Sequence, residues 1–262
     1  MEVFVGAQSN AGRVRDHNED SFYAGRQIWG VADGMGGQAA GDMASTIVTE
    51  QLRARDNGGP LTPDDIWQLI AVINDAIVDY AKRNPLATGL GSTLTGVASV
   101  ELDAVWHWSV FNVGDSRVYR YIDGRLQRET VDHNEAEELI TTGQLTREEA
   151  VMHPSRFVLT RALGTTPPPQ PDVFLLPQTR DETFLICSDG LTSEVPEQTI
   201  EEVLRDCPDP GQAAERLIDL TMLSGAHDNV TAVVLVVRHG DGGIVTEADG
   251  TTIPRPEIQE KK

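Results

Sequence analysis

Residues 31–37 read Val-Ala-Asp-Gly-Met-Gly-Gly, so an apolar run ends in a carboxylate that is followed by three glycines within four residues. The run predicts a strand that stops at Asp33. Glycine has no Cβ and lets backbone groups approach a ligand closely, which favours an ion or phosphate site here. The alternative is an ordinary Asp-Gly turn, which the chain predicts at Asp123-Gly124 between two short strands.

The pairing of an apolar run with a carboxylate recurs at three further places. Asp115 follows the run 111–113, Asp189 follows 184–187, and Asp228 precedes the β-branched run from 230 to 237. Because the ends and starts of antiparallel neighbours share one rim of a sheet, we expect these acids to lie together. Several carboxylates on one rim repel each other unless cations lie between them. The sequence therefore predicts a divalent-metal site.

Composition excludes several classes of partner. The chain has 262 residues and a formal charge of −20, with 41 acidic and 21 basic residues, so we expect no nucleic-acid partner and no binding to an anionic membrane. No run reaches the roughly 18 apolar residues of a membrane helix, and the first residues lack the layout of a secretion signal. We predict a cytoplasmic monomer. Cys187 and Cys207 suit core packing better than a disulfide.

Hydrophobic periodicity predicts an α+β fold. Strands are expected at 2–8, 22–23, 28–32, 92–100, 105–113, 117–122, 125–128, 174–176, 183–188 and 230–237. Helices are expected at 43–52, 64–82, 135–140, 147–152, 200–205 and 213–223, the second of them with Thr62 as N-cap and Pro63 in the first helical position. Helix pairs around blocks of antiparallel strands predict a four-layer α-β-β-α sandwich.

Some polar segments admit two interpretations. Arg13–Asp20 is either a solvated loop with surface ion pairs or part of the site that contains Asp33. Residues 89–93 contain small residues that suit a phosphate loop, but they lack the lysine and the following helix of such a loop. A chain that enters a crowded strand at this point explains the small side chains better. Residues 239–262 have almost nothing apolar to bury, and we expect a disordered tail after a single domain over 1–238.

Taken together and in order, the short motifs of this chain resemble those of the metal-dependent Ser/Thr protein phosphatases of type 2C, in particular the compact bacterial members. The resemblance covers about residues 2–238. It rests on Arg15-x-x-Asn18-Glu19-Asp20, on Gly114-Asp115-Ser116-Arg117, on Ser188-Asp189-Gly190, and on residues 33–37, 132–133, 159–164 and 228–229. Ordered motifs of this kind are far more specific than any one alone.

The resemblance also implies a role for each acid. It implies that Asp33 bridges two cations and that Asp189 and Asp228 complete the first cation's protein ligands. It places the Gly34 carbonyl, Glu19 and Asp20 around the second cation, and Asp115 with Asp189 around a weaker third. Ligands that are all oxygen suit Mg²⁺ or Mn²⁺.

The resemblance further implies a mechanism in which a water activated by two cations attacks phosphorus. Arg15 is the expected phosphate clamp, because a guanidinium donates two parallel hydrogen bonds to phosphate oxygens. Met35 stands where many eukaryotic relatives have a proton-donating His, and a thioether donates no proton. The polar stretch of about 133–165 resembles the family's flap, and His133 and His153 within it are expected to be structural.

Phosphoserine and phosphothreonine in proteins are the substrates that the resemblance implies, in opposition to a bacterial Ser/Thr kinase. The alternative is a module of the same fold that binds phosphoproteins without catalysis. Loss of the metal-binding acids would favour that alternative, and every expected acid is present.

Overall fold

Two antiparallel sheets form the centre of the molecule, and the computed structural model describes residues 1–36, 40–57, 59–87, 89–150 and 152–238. The strands are β1 Glu2–Asn10, β2 Asp20–Ala24, β3 Ile28–Met35, β4 Gly91–Ser92, β5 Leu94–Leu102, β6 Val105–Val113, β7 Arg117–Ile122, β8 Arg125–Arg128, β9 Asp172–Pro177, β10 Glu182–Cys187 and β11 Val230–Arg238. One sheet has the order β1-β11-β10-β7-β8, and the other has the order β2-β3-β5-β6-β9 with β4 beside β3.

The helices are α1 Gly41–Arg55, α2 Pro63–Arg83, α3 Glu135–Thr141, α4 Arg147–Ala150, α5 Asp189–Thr192, α6 Glu197–Asp206 and α7 Pro210–Ser224. The predicted start of α2 is confirmed. The Thr62 side chain accepts a hydrogen bond from the Asp65 N–H, the Asp65 carboxylate accepts one from the Thr62 N–H, and Pro63 opens the helix. This reciprocal cap satisfies backbone donors that the first helical turn leaves unpaired.

Alternation along the strands divides the apolar residues among three cores, which makes the predicted four layers. Ile28 and Ala32 of β3 face one way and pack with α1 and α2. Trp29 and Val31 face the other way, into the gap between the sheets. A third cluster, which includes Leu217 of α7, lies beneath α6 and α7 on the sheet that contains β10 and β11. Side chains that alternate in this way place one helix pair on each outer face.

The gap between the sheets changes from apolar to polar at one end. Asp33 comes two residues after Val31, Ser188 comes two after Ile186, and both therefore continue the inward-facing rows of their strands. Thr231 likewise precedes Val233 by two positions. Acids and hydroxyls thus meet at the end of an otherwise apolar gap, and this end is the candidate site.

Two sequence predictions near the site were wrong in detail. The third strand does not stop at Asp33, because Gly34 and Met35 continue the ladder by pairing with β4. The stretch 13–20 is too polar for a core segment by its sequence, and one of its two interpretations was a solvated loop, yet its last residue Asp20 begins β2 and is 7% exposed. Its pairing opposite Asp33 in the strand register carries it into the gap between the sheets.

The remaining structural predictions concern cysteines, turns and membrane segments. Both cysteines are free thiols, as expected, and Asp123 and Gly124 have φ values of 52° and 73°, as a tight hairpin turn requires. In the part of the chain that the structure describes, no helix has the length and apolarity needed to cross a bilayer. The predicted tail 239–262 and Gly37 lie outside the described residues.

Candidate active site

Asp20 is the most deeply buried acid of the site. Its Oδ2 accepts hydrogen bonds from the hydroxyls of Ser188, at 2.8 Å, and Thr231, at 2.7 Å. Its Oδ1 is also buried and is without a hydrogen-bond partner among the described residues. Burial raises the pKa of Asp20 to about 7, against the two hydroxyl contacts that lower it. A buried carboxylate oxygen without a partner is costly unless a further group completes it.

Asp33 lies directly opposite Asp20 in the β2–β3 register. Its backbone is fixed by Thr93, whose hydroxyl accepts from the Asp33 N–H at 2.9 Å and whose N–H donates to the Asp33 carbonyl at 2.8 Å. Burial raises the pKa of Asp33 well above its usual range, and the charges of Asp20 and Asp189 raise it further. Strand pairing therefore holds two carboxylates against each other.

Three more acids reach this end of the gap from other elements. Asp189 is the first residue of α5, just after β10, and Asp228 lies two residues before β11. Burial and the charge of Asp228 raise the pKa of Asp189 to about 6. Asp115 lies between β6 and β7, and burial, then the charge of Asp189, raises its pKa well above the usual value. The sequence prediction that these acids gather at one rim is thus supported by their mutual electrostatic effect.

The acids are gathered loosely. Among the described residues, no three His, Cys, Asp or Glu side chains form a compact group of the kind that encloses a bare metal ion. The carboxylates still interact, because the charge of a neighbouring acid adds to burial in raising the pKa of Asp33, Asp115 and Asp189. Mg²⁺ keeps several of its waters when proteins bind it, so its acidic ligands need not touch one another. A cation that keeps part of its water shell can therefore be held without a compact cage of acids.

Glycine is required at two positions beside Asp33. A Cβ on Gly34 would lie 2.0 Å from the Gly41 carbonyl oxygen, and a Cβ on Gly41 would lie 2.6 Å from Cδ of Glu19. The Gly34 N–H donates to the Glu19 carbonyl at 3.2 Å. The missing side chains allow the end of β3 and the start of α1 to close around Glu19. Burial raises the pKa of Glu19, partly offset by Arg15.

Arg15 lies at the mouth of the site. Its Nη2 donates to Asp228 Oδ2 at 2.9 Å, and the two side chains are 53% and 39% exposed. This contact raises the pKa of Arg15. The structure therefore brings the expected phosphate clamp to the expected acids, and the guanidinium keeps N–H donors beyond the one that Asp228 engages.

Four side chains for which the sequence predicted no such role hold the acids in place. Ser188 and Thr231 orient Asp20, Thr93 fixes the backbone of Asp33, and the Asn229 side chain accepts from the Glu19 N–H at 2.8 Å. Strand alternation from Ile186 and Val233 could have located the first two. The role of Asn229 depends on a loop far away in the sequence, and no local pattern indicates it.

His133 connects the flap to the loop that carries Asp115. The ring Nδ1 of His133 accepts from the Gly114 N–H at 3.1 Å, and the backbone N–H of His133 donates to the Gly114 carbonyl at 2.9 Å. Its Nε2 lies 3.3 Å from Asp172 Oδ2. The hydrogen bond from His133 lowers the pKa of Asp172 to about 2, and Arg161 contributes in the same direction. His133 is buried and structural, as expected.

His153 caps the short helix Pro154–Phe157 by accepting from the Ser155 N–H.

Divalent cations fit this site on two observations. Asp20 Oδ1 is buried without a hydrogen-bond partner among the described residues, which points to a missing positive or donor group, and the charges of Asp20 and Asp189 add to burial in raising the pKa of Asp33. All of these acids offer oxygen donors, which hard cations such as Mg²⁺ and Mn²⁺ prefer. The residues present therefore suit such ions.

Comparison with known proteins gives one consistent result. A profile of the family described as Protein phosphatase 2C matches residues 10–220. The Ser/Thr protein phosphatase PstP of Mycobacterium tuberculosis is 38% identical over 240 residues, which are 90% of this chain and 45% of PstP. The Ser/Thr phosphatase stp of Listeria monocytogenes is 36% identical over 242 residues, which are 88% of this chain and 94% of stp.

One solved structure bears on both fold and ligand. The catalytic domain of PstP in complex with two manganese ions superposes with a TM-score of 0.82 at 34% identity, covering 90% of this chain and 99% of that one. The likeness confirms the predicted sandwich of two antiparallel sheets with helices outside. This chain spans about half the length of the mycobacterial relative, 45%.

Proposed function

Because this chain belongs to the protein phosphatase 2C family, we propose that it hydrolyses phosphoserine and phosphothreonine in proteins through a centre of two Mg²⁺ or Mn²⁺ ions, in opposition to a Ser/Thr kinase. The observation that carries the proposal is the gathering of Asp20, Asp33 and Asp189 at the polar end of the gap between the sheets, where one buried oxygen of Asp20 has no hydrogen-bond partner in the described part of the chain. The manganese in the PstP domain supports the choice of ion.

The proposed ligands are those that the family resemblance implies. Asp33, whose pKa the charges of Asp20, Asp189 and Asp228 all raise, would serve both ions, and Asp189 and Asp228 would serve the first. The Gly34 carbonyl, Glu19 and Asp20 lie on the side of β2 and α1 and would serve the second ion. Asp115, next to Asp189, would hold a weaker third ion.

The ions would supply an activated water and would offset negative charge on the phosphoryl group. The chain's own residues supply the rest of the chemistry. Arg15 binds the phosphate through the N–H donors that Asp228 leaves open, since a guanidinium stays charged at any working pH. Ser188 and Thr231 keep Asp20 in one orientation, and the strand pairing keeps Asp33 beside it. Preorganisation of this kind lowers the cost of reorienting charged groups during the reaction.

Protonation of the leaving oxygen cannot come from residue 35. Met35 is the last residue of β3 and has no dissociable proton. We assign the proton to solvent at the open mouth of the site, where both Arg15 and Asp228 are partly exposed.

A phosphopeptide assay tests the proposal. We expect the purified chain to release inorganic phosphate from a phosphothreonine peptide in MnCl₂, and we expect excess chelator to stop it. Asp33→Asn should abolish release while the far-UV circular dichroism stays unchanged, and Asp123→Asn in the distant hairpin turn serves as the matched control. Release that continues in chelator, or in Asp33→Asn, refutes the proposal. A module that only binds phosphoproteins would bind the peptide and release nothing.

A further inference from the structure

The loop of residues 11–19 joins β1 to β2 and carries both Arg15 and Glu19. A single buried side chain, Asn229, holds this loop at both ends. Its Nδ2 donates to the Ala11 carbonyl and to the His17 carbonyl, each at 2.9 Å. Its Oδ1 accepts from the Glu19 N–H at 2.8 Å. One carboxamide therefore closes the loop by three backbone contacts that lie on either side of Arg15.

The loop also lies directly on the backbone next to Asn229. Gly12 has a φ of 77°, and a Cβ there would lie 2.3 Å from the Asp228 carbonyl oxygen. The Arg13 N–H donates to the Ala226 carbonyl at 2.8 Å. The loop thus has no room to shift toward this backbone, and the Asn229 contacts prevent its ends from moving away.

Asn229 is tied to Asp228 as well. The Asn229 N–H donates to Asp228 Oδ1 at 2.8 Å, and Arg15 Nη2 donates to the other oxygen, Oδ2, at 2.9 Å. The same residue therefore orients the carboxylate that Arg15 contacts and fixes the loop from which Arg15 extends. The Arg15 side chain is itself half exposed, so burial constrains its position little.

We propose that Asn229 is a positioning residue for phosphate binding: its carboxamide sets where Arg15 stands relative to Asp228. This inference rests on the proposed role of Arg15 as the phosphate clamp. Asn229 touches neither substrate nor leaving group in this scheme and acts only through the loop. Small displacements of a clamp weaken binding steeply, because a charge-assisted pair depends on both distance and direction.

The test uses two variants and a matched control. Asn229→Ala removes all three side-chain contacts, and Asn229→Asp keeps the shape and the acceptor while removing both donors. The control is Asn74→Ala, because Asn74 is likewise a buried asparagine whose amide makes three backbone contacts, with Gly164 and Thr165, beside the sheet that contains β5 and β6. Asn229→Ala and Asn74→Ala each lose three buried hydrogen bonds and Asn229→Asp loses two, and only the two Asn229 variants release the Arg15 loop.

The first readout is the dissociation constant of inorganic phosphate from the manganese-loaded protein, measured by calorimetry. We expect Asn229→Ala to weaken phosphate binding by about tenfold in the wild-type background and to leave it unchanged in an Arg15→Ala background. Asn229→Asp should show the same dependence on Arg15, and Asn74→Ala should bind phosphate as the wild type does. Equal weakening in both backgrounds, or equal weakening by Asn74→Ala, overturns the proposal.

The second readout is amide hydrogen exchange of the metal-free protein. We expect faster exchange in residues 12–18 of both Asn229 variants and no change there in Asn74→Ala. Unchanged exchange in that loop overturns the proposal. Neither readout requires turnover, so a wild-type protein that binds phosphate without hydrolysing the phosphopeptide would refute the proposed function and leave this inference standing.

Discussion

Asp20 and Asp33 face each other directly across the β2–β3 strand pair. Burial, and then the charge of Asp20, raises the pKa of Asp33 well above its ordinary range. Like charges directly opposite each other destabilise a sheet, so this pair costs folding free energy wherever no cation lies beside it. The Asp20–Asp33 pair therefore favours cation binding at the expense of folding stability.

The first prediction concerns that repulsion. Asp20→Asn keeps an acceptor for Ser188 and Thr231 and removes one charge, so it should raise the melting temperature of the metal-free protein by about 2–4 °C, which corresponds to roughly 1 kcal/mol. It should also weaken manganese binding by about 10- to 100-fold. Differential scanning fluorimetry with and without MnCl₂ measures both effects. Asp123→Asn is the control, and a lower melting temperature of metal-free Asp20→Asn would contradict the account.

The second prediction concerns the clamp. Arg15→Lys keeps the positive charge but loses the planar pair of donors, so the KM for a phosphopeptide should rise by about tenfold. Arg13→Lys, two residues earlier in the same loop, should leave KM within about twofold because a surface charge there is conserved. Steady-state kinetics in saturating MnCl₂ make the comparison. Equal KM values for wild type and Arg15→Lys would show that Arg15 does not bind the phosphate as a clamp.

The third prediction concerns pH. The folded state holds the pKa of Asp172 at about 2, below its ordinary 3.8, chiefly through the hydrogen bond from His133. A carboxyl whose pKa is lowered by folding stabilises the protein above its unfolded pKa, and this contribution disappears as the pH falls through the folded value. The melting temperature of Asp172→Asn should therefore be below that of wild type at pH 7. The difference in melting temperature should become smaller as the pH falls below about 4. A difference in melting temperature that stays constant down to pH 3 would show that the stabilisation by the His133–Asp172 contact does not depend on the charge of Asp172.

The fourth prediction concerns a buried network far from the site. Glu182, which is 1% exposed, accepts from Trp108 Nε1 at 2.7 Å, from Arg120 Nε at 2.6 Å and from the Thr179 N–H at 2.9 Å. Glu182→Gln leaves the buried Arg120 without its counter-charge, so urea unfolding should show a loss of about 3–5 kcal/mol. The exposed pair Asp79–Lys82 is the control, since Asp79→Asn should change stability by less than about 1 kcal/mol. The kcat of folded Glu182→Gln should match wild type, because Glu182 begins β10 and the site lies at its other end.

The layers could be predicted from the sequence because they depend on local patterns. Alternation in β3 separates Ile28 and Ala32 from Trp29 and Val31, and that separation defines two of the three cores. The cap at Thr62 likewise depends on residues within one turn. Such signals need no knowledge of distant contacts.

The details of the site depended on partners far apart in the chain. Asp20 looked like part of a polar loop because its burial follows from hydroxyls on β11 and just after β10, Thr231 and Ser188, more than 160 residues later. Strand β3 continues past Asp33 only because β4 pairs with it. The role of Asn229 is visible only from its side-chain hydrogen bonds to the backbone of Ala11, His17 and Glu19. Residue type alone indicates none of these contacts.

Calorimetric titration of the metal-free protein with MnCl₂ shows whether acids from separate strands form one cation centre. We expect uptake of two ions per wild-type chain, retained in Asp123→Asn and lost in Asp33→Asn, in which both proposed ions lose a shared ligand. Heats from wild type that cannot be distinguished from dilution, or an Asp33→Asn titration identical to wild type, would contradict this expectation.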